Sequence, residues 1–448
     1  MSHRRPRRPW RGRLCVWCLP RRRLRWSVGR LRADAMKSDV APPPKPISYA
    51  ELVAVTGAVM ALNALAIDMM LPSLGLIGAA LGVTAENDRQ LVVVVYIIAN
   101  GVSQLFMGPV VDRFGRRKVL LWALGAYAVG SLLSVIAQNF TLLIAARIFQ
   151  GAATAGARVA VLAMVRDRYS GAELARVMSV AITIFMAAPV FAPLIGQSIL
   201  SVGSWRWIFF VLFACGAVMA LWAAIRMRET QSAADRPRLS FGRAFTAYRE
   251  FFGIRLCLGY VAVQTLLFGG LFGFISSSEQ IFIDQYGLGA LFPAAFGASA
   301  IGFAIAAIVN SRIVVKAGMR RLARGGLIAL IAVQIVHLSL HGWIADSPVL
   351  FTAFMTATLL CMGFVTPNAQ ALAMEPAGHI AGVAAAANGF ATGALGGAIG
   401  GLIGRLYNGT TIPLIAGFAL LGALALLAAL WADGAPAGAA ERHGSVVP

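Results

Sequence analysis

Three polar side chains lie inside apolar segments, where uncompensated charge is costly: Asp68, Arg147 and Gln150. A carboxylate in such surroundings must pair, hydrate or take up a proton. A low dielectric favours its neutral form, so a proton gradient can load and unload Asp68. Arg147 can balance a buried acid or anchor a hydrogen-bond network, and Gln150 can bond across to the segment that carries Asp68. We therefore predict that these residues couple proton movement to a conformational change.

Simpler interpretations of the same residues stay open. Asp68 can be a structural acid near the outer end of its segment, bonded to a neighbour or to water. Arg147 can be a cation whose side chain extends back to the membrane surface.

A second cluster with chemical potential is the run Gly108-Pro-Val-Val-Asp112-Arg113-Phe-Gly115-Arg116-Arg117-Lys118. It follows an apolar stretch and packs an acid, four cations and two glycines into one short turn. We predict a gate, in which Asp112 caps a helix or pairs with arginine until the contacts break. Cations that only enforce topology would explain the arginines but not Asp112 or the glycines. The predicted gating residues are Gly108, Asp112, Arg113, Gly115, Arg116 and Arg117.

The composition shows which elements must position these residues. Of the 448 residues, 59% are hydrophobic and 13% charged, against roughly 45–50% apolar and about 25% charged in soluble domains. Lipid must therefore solvate most of the chain. Segments of roughly 20 apolar residues cross a bilayer as helices, and the alternating strands of a β-barrel are not seen. We predict an all-α membrane protein with twelve transmembrane helices, at 50–72, 91–111, 119–137, 141–165, 177–200, 207–225, 256–278, 291–311, 325–342, 349–372, 381–404 and 411–431.

The lysines and arginines between these segments predict the orientation. Nineteen lie on one side of the membrane, whereas the other side has Arg89, Arg206 and Arg405. Because positive loops stay inside, the basic side and both termini are predicted to be cytoplasmic. This bias accounts for much of the net charge of +21, so a nucleic-acid partner is not indicated.

The longest polar interruption divides the twelve segments into six and six. Such a division suits a transporter with two pseudo-symmetric halves. We predict a basic, proline-containing leader at 1–46, an N-terminal half at 47–225, a linker at 226–255, a C-terminal half at 256–431 and a tail at 432–448. The leader can be a lipid anchor, a transit peptide or an upstream translation; a start near Met36 is the interpretation we favour.

A weak internal repeat supports duplication of the halves. Lys316-Ala-Gly318-Met-Arg320-Arg321 follows the eighth segment as Arg113-Phe-Gly115-Arg116-Arg117 follows the second. Val315 stands where the first copy has Asp112, so the halves are not expected to be functionally equal.

Taken together, the motifs from about 47 to 431 resemble the major facilitator superfamily, and within it the Bcr/CflA group of drug:proton antiporters. The loop after the second segment is similar to the superfamily's loop motif, and Asp68-x-x-x-Pro72 and Arg147-x-x-Gln150-Gly151 resemble motifs of helices one and four. The resemblance implies a proton-driven exporter of small, largely apolar compounds in a bacterial inner membrane. The fifth segment departs from the antiporter pattern, with Ala188-Pro189-x-x-x-Pro193-x-x-Gly196-Gln197. A proton symporter that imports a metabolite is therefore the alternative, and a membrane sensor that no longer transports is a more distant one.

Other polar and aromatic residues can line a substrate cavity, although core packing is the simpler interpretation of each. These candidates are Asn63, Phe185, Gln264, Phe274 and Asn368. Pro189, Pro193 and Gly196 predict bending and close packing in the fifth segment, as the many glycines do in the eleventh. No nucleotide-binding loop, zinc motif or catalytic motif is present, so we expect no enzyme activity, metal or cofactor. We expect a monomer whose partners are protons, a small substrate and the lipid bilayer.

Overall fold

Helices joined by short turns make up the part of the chain that the computed structural model describes, residues 48–232, 241–344 and 347–434. The side chains of residues 172, 175, 182, 185, 186, 241, 243, 244 and 344 are outside that description. Ten helical segments there are long and apolar enough to cross a membrane. One of them, Pro348–Arg405, contains two consecutive passes. A further, shorter apolar stretch, Ala187–Leu200, is the second part of the helix Gly171–Leu200. The twelve predicted crossings are confirmed. The predicted leader, 1–46, lies outside the described residues, and so does the predicted tail, 432–448, apart from residues 432–434.

The first described residue of the N-terminal half is Ser48, whose hydroxyl accepts the backbone N–H of Glu51 and so caps the first helix. The first crossing has two parts, α1 and α2, separated by a turn at Leu71–Ser73 that contains Pro72. The helices are α1 Tyr49–Asp68, α2 Leu74–Ala80, α3 Leu91–Phe114, α4 Arg116–Val135, α5 Phe140–Arg168, α6 Gly171–Leu200 and α7 Arg206–Arg226.

The linker contains the helix α8, Phe241–Gly253, where the sequence shows an amphipathic stretch. The Tyr248 hydroxyl donates a hydrogen bond of 2.8 Å to the Leu105 carbonyl, which holds α8 against α3. The C-terminal half follows directly. Its helices are α9 Arg255–Glu279, α10 Phe292–Ala317, α11 Met319–Ile344, α12 Pro348–Met374, α13 Ala381–Phe390, α14 Gly396–Arg405 and α15 Ile412–Asp433, with α13 and α14 joined by a π-helical turn into one crossing.

The two halves pack against each other through α6 with α10 and through α3 with the α13–α14 crossing. Glycines of the α13–α14 crossing approach α3 so closely that an added Cβ would lie within 2.9 Å of an atom of α3 or of Gln90, the residue before it; these are Gly389, Gly393, Gly397, Gly401 and Gly404. The first faces Gln104 and the last faces Gln90, so this glycine stripe runs along α3. Small residues let helix backbones approach closely, which explains the glycine content of the eleventh predicted segment.

The repeated turns have the same backbone geometry. Gly115 (φ 97°, ψ 145°) joins α3 to α4, and Gly318 (φ 84°, ψ 139°) joins α10 to α11. Positive φ values of this size favour glycine because a Cβ would clash with the backbone. The faint repeat in the sequence therefore corresponds to a structural repeat of the two halves.

Candidate coupling site and interdomain contacts

Asp68 is the last residue of α1, directly before the break in the first crossing. Its side chain is buried, with 3% of its surface exposed, and Oδ1 has no hydrogen-bond partner among the described residues. The sequence predicts a costly acid at this position, and the structure places it where neither bulk water nor a described cation compensates its charge. Such an acid is stable only when it carries a proton or gains a partner.

Arg147 is completely buried in α5 and is held by neutral acceptors. Its Nε donates to the Val92 carbonyl at 3.0 Å, Nη2 to the Ala66 carbonyl at 2.8 Å and Nη1 to Gln150 Oε1 at 2.5 Å. The guanidinium also lies 4.3 Å from the centre of the Tyr96 ring, a favourable cation–π geometry. Arg147 thus links α5 to α1 and to α3. Its acceptor on α1, the Ala66 carbonyl, is two residues before Asp68.

The prediction that Gln150 bonds across to the first helix is wrong. Its amide nitrogen donates to the Ser131 hydroxyl of α4 at 2.7 Å, and its oxygen accepts from Arg147. Arg147 is one turn before Gln150 and has the longer side chain, so it supplies the link to α1 instead.

A hydroxyl pair extends this network along α3. The Tyr96 hydroxyl is 3.1 Å from Asn63 Oδ1 and 2.9 Å from the Thr154 hydroxyl, so α1, α3 and α5 are joined a second time. Asn63, a predicted cavity residue, is half-buried. Tyr96 is not among the site residues predicted from the sequence, although a tyrosine within an apolar segment is a signal that could have indicated it.

Helix α6 packs tightly against the break beside Asp68. A Cβ on Gly196 would lie 1.9 Å from the carbonyl oxygen of Met69, the residue after Asp68. Pro189 and Pro193 interrupt the hydrogen-bond ladder of the same helix. The three predicted hinge residues therefore belong to the helix that contacts the candidate coupling site.

The other predicted cavity residues take different positions. Gln264 exchanges hydrogen bonds with Asn388, and Asn368 donates to Asn310 at 2.7 Å, both inside the C-terminal half. Phe274 is buried and stacked 5.5 Å from Phe296, so in this conformation it is part of the core. The side chain of Phe185 lies outside the described part.

The surface of the described residues contains, among others, two cavities with a bearing on these residues. One of about 570 Å³ lies between α3, α8 and α13 and includes Leu105, Tyr248 and Phe390. Another of about 580 Å³ lies at the opposite end and includes Glu86, Asp284 and Tyr407. Neither is lined by Asn63, Gln264, Phe274 or Asn368.

The basic turn after α3 makes its described contacts within the N-terminal half and with the first residues of the linker. Arg116 pairs with Asp112 at 3.1 Å and with Asp167 at 3.0 Å, and its backbone N–H donates to Glu229. Arg117 donates to the carbonyl of Ala224 in α7 and to the carbonyl of Met227, the residue after this helix. Arg113 is exposed, and a Cβ on Gly108 would meet open space. The turn thus binds the ends of four helices of one half, and its gating role stays a prediction.

The opposite face contains contacts between the two halves that were not predicted from the sequence. Arg89 pairs with Glu279 and Asp284 of the C-terminal half, and Arg405 pairs with Asp88 of the N-terminal half. Two features of the sequence could have indicated these contacts. Arg89 and Arg405 are two of the three cations predicted on this side of the membrane, and Glu279 immediately follows an apolar segment. This face is closed by ionic contacts between the halves.

Twelve crossings in two repeated halves, with buried polar groups on discontinuous helices, define a multi-pass membrane transporter. The profile of the Major Facilitator Superfamily matches residues 56–401. The chain belongs to this superfamily.

Individual relatives agree with that assignment. The chain is 32% identical to the Bicyclomycin resistance protein homolog of Haemophilus influenzae over 332 residues, covering 71% of this chain and 80% of the relative. It is 29% identical to the Chloramphenicol resistance protein of Pseudomonas aeruginosa over 329 residues, covering 72% and 77%. The resemblance to the Bcr/CflA group is confirmed.

A solved structure shares the fold. The human organic anion transporter MFSD10 (TETRAN) superposes with a TM-score of 0.64 at 16% identity, covering 87% of this chain and 100% of that one. At this identity the likeness concerns the fold alone.

Proposed function

We propose that this chain is a proton-coupled antiporter that exports small, largely apolar drugs or toxic compounds by alternating access. The observation that carries the proposal is Asp68, a buried carboxyl with an unpartnered oxygen at the break in the first crossing. Two relatives of this chain are named for resistance to bicyclomycin and to chloramphenicol, which supports drug export.

In the proposed cycle, Asp68 alternates between holding a proton and freeing the site for cargo. The neutral acid is stable in the buried site, whereas the carboxylate needs water or a cationic partner. Gaining or losing the proton therefore changes which arrangement of α1 is stable. Arg147 transmits that change, because its guanidinium donates to Ala66 of α1 and Val92 of α3 at once.

We place the basic face in the cytoplasm, because nineteen Lys and Arg lie on that side against three on the other. Both termini then lie in the cytoplasm. The bacterial relatives support a location in the inner membrane. The coupling network from Asn63 to Thr154 belongs to a single chain, so we propose that a monomer is the working unit.

The proposal is tested in proteoliposomes with an imposed pH gradient. Radiolabelled chloramphenicol and a panel of neutral and singly charged drugs should accumulate in vesicles with an acidic interior, as exchange for protons requires. The Asp68→Asn variant should show no gradient-driven accumulation. Accumulation only with an alkaline interior would indicate symport, and gradient-driven transport by Asp68→Asn would remove Asp68 from the mechanism.

A further inference from the structure

Arg89 lies between the two halves and faces two carboxylates that the Asp68 mechanism does not use. Its Nε is 3.2 Å from Glu279 Oε2, and its Nη2 contacts Asp284. The other oxygen of Glu279 accepts the backbone N–H of Gly75 in α2 at 3.2 Å. Glu279, at the end of α9, therefore binds two segments of the N-terminal half.

Further polar contacts surround this pair, and each joins one half to the other. Gln280 donates to Asn87 at 2.7 Å and accepts from Gln90, and Asn87 donates to the carbonyls of Arg405 and Tyr407. We call the interdomain contacts of Asn87, Asp88, Arg89 and Gln90 with Glu279, Gln280, Asp284, Arg405 and Tyr407 the outer latch. While it is intact, the halves cannot separate on this face.

Among the described residues around Glu279, acidic side chains outnumber the cations. Arg89 is the one cation that the structure shows in contact with Glu279, and it is shared with Asp284. Glu86 is a third acid close to Glu279. The Glu279 side chain is 4% exposed and that of Asp284 46% exposed, so the buried acid lies behind an accessible one. Like charges repel more strongly where water is excluded, and one proton on Glu279 would relieve that repulsion.

Protons can approach the outer latch from the side of the membrane opposite the basic loops. The cavity of about 580 Å³ on this side is lined by Glu86, Asp284 and Tyr407, and all three are neighbours of Glu279 or Arg89. The charged and titratable groups facing Glu279 are therefore Arg89, Glu86, Asp284 and Tyr407, with the Asp88–Arg405 pair beside them.

We propose that Glu279 is a second proton-accepting residue, and that its protonation from the outside opens the outer latch. Loss of the charge weakens the contact with Arg89, so the halves part on this face and cargo can leave. This inference rests on the proposed antiport. The two acids then have different roles. Asp68 exchanges a proton for cargo, and Glu279 makes outward opening depend on external acidity.

Distance measurements between the halves test this proposal without relying on transport. Spin labels are placed at Thr84 and Asn408, which are exposed, belong to different halves and lie outside the outer latch. The labels are introduced into a variant in which all five cysteines are replaced by serine; these are Cys15, Cys18, Cys215, Cys257 and Cys361. In lipid nanodiscs, the fraction of long distances should rise several-fold between pH 8 and pH 5.5. Glu279→Gln, whose amide can still accept the Gly75 N–H, should show the long-distance fraction at both pH values.

Two control variants separate the Glu279 contacts from the rest of the outer latch and from the antiport. Asp88→Asn removes the neighbouring ion pair and should raise the long-distance fraction while keeping its pH response. Asp68→Asn should keep the same pH response although drug-dependent proton release is lost, so the two proposals fail in different measurements. A distance distribution independent of pH, or a normal pH response in Glu279→Gln, would overturn the proposal.

Discussion

The Nη2 atom of Arg147 donates a hydrogen bond of 2.8 Å to the carbonyl oxygen of Ala66, two residues before Asp68. The other nitrogens of the same guanidinium bind Val92 of α3 and Gln150 of α5. A planar group with several donors in fixed directions can hold three helices together in this way. The position of α1 at Asp68 is therefore linked to its neighbours by one rigid side chain.

Arg147→Lys should abolish transport and lower the thermal stability. A lysine ammonium cannot reach Ala66, Val92 and Gln150 together, and each hydrogen bond lost from a charged group is worth about 1.5–3 kcal/mol. Thermal unfolding in detergent and drug transport measure the two effects. Arg158→Lys is the control, because Arg158 lies on the same helix and makes no hydrogen bond or ion pair with the residues that the structure describes. If both variants behaved alike, the special role of Arg147 would be lost.

Asp112→Asn separates the gating prediction from a purely structural role of the basic turn. Asp112 is 50% exposed on its side chain and pairs with Arg116 of its own half, and such pairs stabilise by about 0.2–1 kcal/mol. We expect thermal stability close to that of the wild type but a clear loss of transport rate, because gating requires contacts made in another conformation. Arg113→Gln, at an exposed neighbour, should change stability equally little. Full transport activity in Asp112→Asn would contradict the gating prediction and would indicate that the basic turn only sets the membrane topology.

Gly101→Ala should prevent the halves from closing along α3. The added Cβ would lie 2.2 Å from the backbone nitrogen of Ala394 in the other half, so the two helices would have to move apart. The spin-label pair at Thr84 and Asn408 should report a larger long-distance fraction, and transport should fall. Gly125→Ala is the matched control, because nothing lies within 4 Å of its Cβ position and alanine favours a helix by about 0.5–1 kcal/mol over glycine. Equal behaviour of the two variants would contradict the packing argument.

The sequence predicts the architecture well because hydropathy and backbone geometry are local properties. Twelve apolar segments of bilayer length, and glycines at 115 and 318 that require positive φ, are readable without knowing any long-range contact. The burial of Asp68 and Arg147 follows from the same patterns, since each is a charged residue within an apolar run.

The pairing partners could not be predicted because they come from distant parts of the chain. Arg89 and Glu279 are 190 positions apart, and Glu279 falls just outside the predicted seventh segment, where an acid is unremarkable. Gln150 and Phe274 show a different limit. Their helices are predicted, but whether a side chain faces α1, a cavity or the core depends on helix rotation and packing.

Drug-dependent proton release tests the central claim about Asp68 most directly. Purified protein in weakly buffered detergent solution is mixed with chloramphenicol and other candidate drugs, and the released protons are followed with a pH indicator. The wild type and the Asp112→Asn control should release protons on binding, whereas Asp68→Asn should bind drug and release none. Release of protons by Asp68→Asn equal to that of the wild type would show that another group carries the exchanged proton.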